Sequence, residues 1–542
     1  MKNILLSAAI STLLFSCNMK ERADLIVYNA KVYKVDSAFS KCTAFAVIDG
    51  KIIATGGDDE ILNKYKSSEY LDAEQKPLYP GFNDAHAHFF GLGESLNVVD
   101  LRGAKSFEEV ISRLQNAKEK KGLKFIIGDG WDQNDWSIQQ MPSNNLLNEK
   151  FPDVPVMLSR IDYHAVVAND AAIKLLGITP GDGSIPHGEA VMEKGKFTGL
   201  FLETTAERFR TIIPEPTLKE YYGMMEEAQN ECFKYGLTSV STAGENLDKI
   251  RLLQQFQKSG DLKIRMDIWL SANKENIETF KRPFRDDLIN IGTLKLYLDG
   301  ALGSRGALMI EPFSDEPGNK GIKVISDSDF RSYLKWAYDN GFQAATHCIG
   351  DLANRTALRE YAAILGVPND RRWRIEHAQV INPSDMNMFG KYSIIPSVQP
   401  THATSDMIWA ADRLGNRISQ AYPNKELLMQ NGWLPSGTDF PVEEVSTIKT
   451  FFAAVFRKNS DYFPMDGFQM ENALTREEAL RSMTIWAAKA SFEESQKGSI
   501  EPGKFADFVI LDVDIMTAPE KEILATKVLK TYVAGKKVYS QE

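Results

Sequence analysis

Eight short apolar segments, most followed by a helical pattern, constrain this chain more than any other feature. Leu78–Asn83, Thr238–Thr242, Lys263–Leu270, Thr293–Leu298, Gln343–His347, Trp373–His377, Ile394–Val398 and Leu434–Asp439 read as strands. Helical patterns such as Asp329–Asn340 and Asn354–Leu365 lie between most of them. Strands alternating with helices make a parallel sheet of the α/β class, and eight of them close a (β/α)₈ barrel of the TIM type. The stretch Arg102–Tyr235 is too long for one connection. It is expected to be a large insertion after the first barrel strand, with strands of its own at Lys124–Ile127 and Val154–Arg160.

The two ends read differently. Ala23–Asp36 and Ala44–Ile53 alternate apolar and polar residues, and Asp49-Gly50 is a hairpin signal. Asp507–Asp512 and Val528–Tyr539 read as strands at the other end, with Gly535 at a turn. Two β-rich ends around a long middle suggest one small β-sandwich domain formed by both termini. The expected division is 22–77 for the N-terminal part of the sandwich, 78–495 for the barrel with its insertion at about 102–235, and 496–542 for the C-terminal part.

Residues 1–17 stand apart. A short basic start precedes the apolar run Ile4–Phe15, too short to span a membrane but suited to the core of a signal peptide. The run ends Leu14-Phe15-Ser16-Cys17, which resembles a bacterial lipoprotein box, with Phe15 an unusual occupant. The expectation is a lipid anchor on Cys17 and a place in the bacterial cell envelope, facing the periplasm or the exterior; the alternative is secretion to the periplasm. The rest reads as globular, and 542 residues are ample for a large core. A net charge of −10 without a Lys/Arg-rich stretch argues against nucleic acid as a partner. Membrane contact is expected only through the anchor, and a homodimer is left open. Cys42, Cys232 and Cys348 lack CxxC spacing and read as small buried apolar residues.

The chemistry lies at the ends of the strands. Of seven histidines, His86 and His88, His347 and His377 sit at the ends of predicted barrel strands, and Asp439 ends the eighth. Active sites of such barrels lie at the C-terminal ends of the strands. In an extended segment His86 and His88 point to one side. One HxH is a weak signal; two further histidines and an Asp at matching places make a chance set of core histidines the poorer reading. Lys295, inside an apolar strand, is costly as a free ammonium. A buried ion pair, a lysine reaching solvent and a lysine converted to a carbamate are all open for it.

Several motifs are similar to those of the metal-dependent amidohydrolase superfamily. Pro80-Gly81-Phe82-Asn83-Asp84-Ala85-His86-Ala87-His88 resembles its first strand, and Gly498–Asp507 resembles its C-terminal return into the sandwich. Gly130-Trp131-Asp132, Lys295–Gly300, His347–Asp351, Arg374–Ala378, Gln399–His402 and Gly437–Pro441 resemble the branch that contains N-substituted formamide deformylases. Departures are Ala301 where a Ser is common, Cys348 where an Ala is common, and Ser241-Thr242 where a His-Asp pair is common. The resemblance implies hydrolysis of a C–N, amide-like but non-peptide bond of a small molecule, with an ester, a lactone or a cyclic amide as the alternative on the same site. A deaminase fits less well, because Gly350 stands where that branch places a Glu. A lipoprotein that binds metal or a ligand without turnover is the reading of a different class.

The resemblance also implies the carbamate on Lys295 and a pair of divalent metals. His86, His88, the Lys295 carbamate and Asp439 would hold one; His347, His377 and the same carbamate would hold the other. Imidazole and carboxylate ligands suit zinc, with nickel, manganese or iron as alternatives. Asp439 is expected to serve as general base. His164, in the insertion, and His402, after the seventh strand, are expected either to hydrogen-bond the substrate carbonyl or oxyanion or to be structural. Arg305 either binds an acidic substrate group or makes a salt bridge within the barrel. Trp131 and Trp136 either wall the pocket or pack in a core, and His187 reads as a loop residue.

Overall fold

The computed structural model describes residues 20–161, 164–181, 183–186, 189–367 and 369–541. Cys17 and the expected signal peptide lie outside them, as does His187. Among the described residues no helix is long and apolar enough to cross a membrane.

Seven parallel strands form most of the barrel: Phe82–Ala87, Leu237–Glu245, Arg265–Ser271, Ile289–Tyr297, Gln343–Cys348, Arg374–His377 and Ile395–Ser397, each paired with the next. The eighth segment, 434–439, is too irregular to count as a strand, yet it closes the ring. Gly437 N donates to Val398 O at 3.1 Å on one side, and Ala85 N to Ser436 O and Asp439 N to His86 O at 3.2 and 2.8 Å on the other. The outer helices carry apolar residues at helical spacing. Ile250, Leu253 and Phe256 face inward from Leu247–Lys258, as do Phe330, Leu334 and Ala337 from Asp327–Asp339. Their starts are capped by Asn246 and Ser326, whose side chains accept from Lys249 N and Asp329 N.

The first barrel strand begins later than the apolar pattern suggests. Pro77–Pro80 belongs to the sandwich, where it pairs antiparallel with Phe508–Leu511, and the barrel strand starts at Phe82. The chain passes from one sheet to the other at Gly81, where a Cβ would collide with the side chain of Thr238.

The sandwich has two layers. Lys51–Gly56, Ala44–Ile48, Glu21–Tyr28 and Tyr65–Asp72 form one sheet in that order. The other joins Lys536–Ser540, Val528–Val533 and Phe508–Leu511 to Pro77–Pro80, Lys31–Tyr33 and Lys41–Cys42. Leu25, Val27, Phe45, Phe508, Ile510 and Tyr532 fill the space between the layers, so both ends of the chain supply this core.

The insertion carries its own six-stranded sheet, from Val99–Asp100 to Lys196–Leu202; its strand Val156–Arg160 lies within the expected Val154–Arg160, whereas Ile126–Trp131 runs four residues beyond the expected Lys124–Ile127. It stops short of residue 235. The helix Leu218–Lys234, opened by a Thr217–Glu220 capping box, is part of the barrel wall: its Met225, Ala228, Cys232 and Phe233 pack in the barrel core.

Candidate metal centre

Four strand ends and the eighth segment bring ionisable groups to one point. His86 Nε2 lies 3.5 Å and His88 Nε2 3.1 Å from Asp439 Oδ1, so the two histidines of the first strand reach the same carboxylate. Lys295 Nζ is 3.0 Å from His86 Nε2. The His377 ring is 5.0 Å from that of His86 and 4.5 Å from that of His347, centroid to centroid. Ligand atoms of His86, His377 and Asp439 lie within 4.8 Å of one another. His402 stacks on His377 with centroids 5.8 Å apart, and its Nε2 is 3.8 Å from Asp439 Oδ2.

Alternation alone does not place all of these. Arg374 and Glu376 share one face of the sixth strand, and Glu376 meets His86. His377 would then face away. It turns to the same interior because its backbone is left-handed, with φ 71°, followed by Ala378 at 43°. Asp439 is also left-handed, with φ 63°. Non-glycine residues held there are strained, and such strain collects at functional sites.

The electrostatics leave neutral imidazoles beside an anion. Burial, aided by Lys295, pushes His86 down to about 4 and His347 down to about 3. Burial and the neighbouring His347 hold His377 well below the usual histidine range. Burial works against ionisation of Asp439, but His88, His86 and His377 outweigh it and hold the carboxyl well below its usual range. Burial lowers the Lys295 ammonium to about 8, against the pull of Glu376 and Asp439. Neutral imidazole, carboxylate and a readily deprotonated amine are the states in which these groups ligate cations.

Two buried imidazole nitrogens here lack hydrogen-bond partners, His347 Nε2 and His402 Nε2. Leaving a buried polar atom unpaired costs about 1–3 kcal/mol. Their convergence is the arrangement a divalent cation would satisfy, so the donor set fits the metal that the motifs imply.

The partners that orient the ligands were not among the sequence candidates. Glu376 Oε2 is 2.6 Å from His86 Nδ1, and Gln399 Oε1 is 2.7 Å from His377 Nδ1. Asp84 accepts from His86 N and from Thr438, tying the first strand to the eighth segment; burial raises it to about 7 against those bonds. The signal for Glu376 was its two-residue spacing from Arg374 in a segment otherwise apolar before His377.

For two candidates the structure shows the second of the two alternatives. Trp131 does not wall the site. It is fully buried in the core of the insertion, donates from Nε1 to Leu158 O, and packs 6.0 Å from Trp136, because the inward positions of that sheet need large apolar rings. Arg305 makes a salt bridge. Its guanidinium is held by Asp315 at 2.8 Å and Glu316 at 3.4 Å in the loop after the fourth strand. His164 lies exposed on the insertion, its Nδ1 3.0 Å from Glu203.

A model of the amidohydrolase family matches residues 69–539. The chain belongs to the amidohydrolase family. Protein LONG AFTER FAR-RED 3 of Arabidopsis thaliana is 30% identical over 95% of this chain and 92% of its own length. N-substituted formamide deformylase of Arthrobacter pascens is 25% identical over 95% and 98%. The crystal structure of an uncharacterized metal-dependent hydrolase from Pyrococcus horikoshii superposes with a TM-score of 0.76 at 30% identity, covering 92% of this chain and 99% of that one. This amidohydrolase therefore joins a TIM-type barrel to a candidate metal site at the C-terminal ends of its strands.

Proposed function

We propose that this amidohydrolase uses divalent metal, zinc first among the candidates, to cleave an amide-like, non-peptide C–N bond of a small molecule. The observation that carries the reading is the convergence of ligand atoms of His86, His377 and Asp439 within 4.8 Å of one another, beside the unpaired buried Nε2 atoms of His347 and His402. His86, His88, Lys295 and Asp439 would hold one cation, and His347, His377 and Lys295 a second. Lys295 would serve both as a carbamate: its neutral amine adds to carbon dioxide, a C–N bond forms and a proton leaves. Burial of the amine, which lowers its ammonium, supports that step. Cations held there would supply Lewis acidity and bring the pKa of water toward neutrality.

The protein's own groups do the rest. Asp439 accepts the proton of the attacking water, then returns it to the leaving nitrogen, as a carboxylate kept ionised at neutral pH can. His402, with Nε2 unpaired beside Asp439, is placed to hydrogen-bond the carbonyl oxygen as charge develops on it. The 25% identity to a formamide deformylase supports the choice of a C–N bond.

The experiment compares catalytic efficiency on an N-formyl arylalkylamine, a matched ester, a lactone and a long peptide. The amide is expected to be best. A lactone or ester preference would change the bond assigned, and a peptide preference would refute the small-molecule reading.

A further inference from the structure

Behind His86 lies an ion pair shut off from solvent on all sides. Arg374 and Glu376 are both fully buried. Arg374 Nε is 2.7 Å from Glu376 Oε1, and Arg374 Nη2 donates to Oε2 at 3.2 Å. The same Nη2 donates to Ala85 O and to Ser397 Oγ, both at 2.8 Å, and the guanidinium carbon sits 4.5 Å from the ring of Trp269. The pair thus spans the first, third, sixth and seventh strands. The same Oε2 meets His86 Nδ1 at 2.6 Å.

The chemistry of that contact assigns the proton. A carboxylate beside a guanidinium only accepts, so Nδ1 of His86 carries the hydrogen and Nε2 keeps its lone pair. Lys295 Nζ, a donor, sits 3.0 Å from that lone pair. His377 is oriented differently, by the neutral amide oxygen of Gln399. The two imidazoles therefore differ: one is backed by a full negative charge and the other by a dipole. A charged acceptor on Nδ1 raises the basicity of Nε2 and with it the strength of the ligand.

We propose that Arg374 and Glu376 are positioning residues of the metal centre. They fix His86 as the Nδ1–H tautomer, aim Nε2 at the centre, and make His86 a stronger cation ligand than His377. This rests on the metal reading above. The competing account is a strut that only holds four strands together.

The test is zinc affinity of the full chain, measured by competition with a chelating dye, together with cobalt absorption bands and thermal unfolding. Glu376→Gln keeps an acceptor but removes the charge, and leaves Arg374 without its counter-charge. The double variant Arg374→Met with Glu376→Gln removes both charges together, which a buried pair tolerates far better. The expected result is a 10- to 100-fold rise in the zinc Kd of the folded double variant, with weakened or shifted cobalt bands. A folded double variant with wild-type zinc affinity and wild-type cobalt bands would overturn the inference and leave the metal reading standing. A wild-type chain that binds neither cation would overturn both.

Discussion

Replacing Asp507 by alanine should loosen the sandwich from the barrel. Arg265, at the start of the third barrel strand, is 3% exposed, and Asp507, which leads into the sandwich strand Phe508–Leu511, is 5% exposed. Their contact is bidentate, Nε to Oδ2 at 2.6 Å and Nη2 to Oδ1 at 3.0 Å. Asp507 Oδ1 also accepts from Ala534 N at 2.8 Å. The alanine variant leaves a guanidinium and an N–H buried without their acceptor. Breaking a buried pair from one side costs about 3–5 kcal/mol, and the lost backbone bond adds roughly 1 kcal/mol. If all 542 residues unfold together, an entropy of about 2.1 cal/mol/K per residue gives ~1.1 kcal/mol/K, so the melting temperature falls by only about 4 °C. If the sandwich, a unit of roughly 100 residues, comes away by itself, the same loss moves its own transition by about 20 °C. Calorimetry distinguishes these, and a split endotherm is the expected outcome. Arg265→Met with Asp507→Leu should recover most of the loss, since no charge is left alone. An alanine variant melting within about half a degree of wild type would refute the reasoning that the pair fastens the two parts.

Three further outcomes follow from the centre and the leader. Chelation should abolish hydrolysis and added zinc restore it; at a free cation concentration of 100 times its Kd, the folded state gains about 2.7 kcal/mol, which a thermal-shift titration reads directly. Lys295→Ala should lose activity and bound metal, with partial return on adding a short carboxylate; an unmodified amine in crystals grown with bicarbonate and fully loaded with metal would speak against the carbamate. Cys17→Ala should, once the signal is cleaved, move the protein from the membrane to the soluble fraction with activity unchanged, as fractionation of cells would show, because the described elements begin after it, at Glu21.

Much of the barrel was legible because period and position coincided. The sixth strand ends where expected, at His377, and the fifth only one residue past the expected His347, at Cys348, since apolar runs there are bounded by residues that leave the sheet. The first strand was placed early because Leu78-Tyr79-Pro80 and Phe82 form one apolar run, and nothing local distinguishes pairing with Phe508 from pairing with Thr238. The metal ligands were readable as residue types at strand ends. Their support was not. Glu376 serves His86 across the barrel, and that contact joins residues 290 positions apart. Trp131 stays ambiguous in the sequence for a similar reason: an aromatic residue near a motif suits a pocket wall and a core equally until the neighbouring strands are known.

The join between Pro77–Pro80 and Phe508–Leu511 also sets a timetable. The partner strand is made more than four hundred residues later, and at about 5–20 residues per second that delay is on the order of 20–90 s. Throughout it the early strand presents a bare edge to every other nascent chain nearby. Pro77 leaves that edge with one fewer N–H donor than another sequence of its length would have, while the missing N–H of Pro80, three residues on, belongs to the opposite edge. A strand poor in donors is a poor template for a stranger, and still takes its own partner when that emerges.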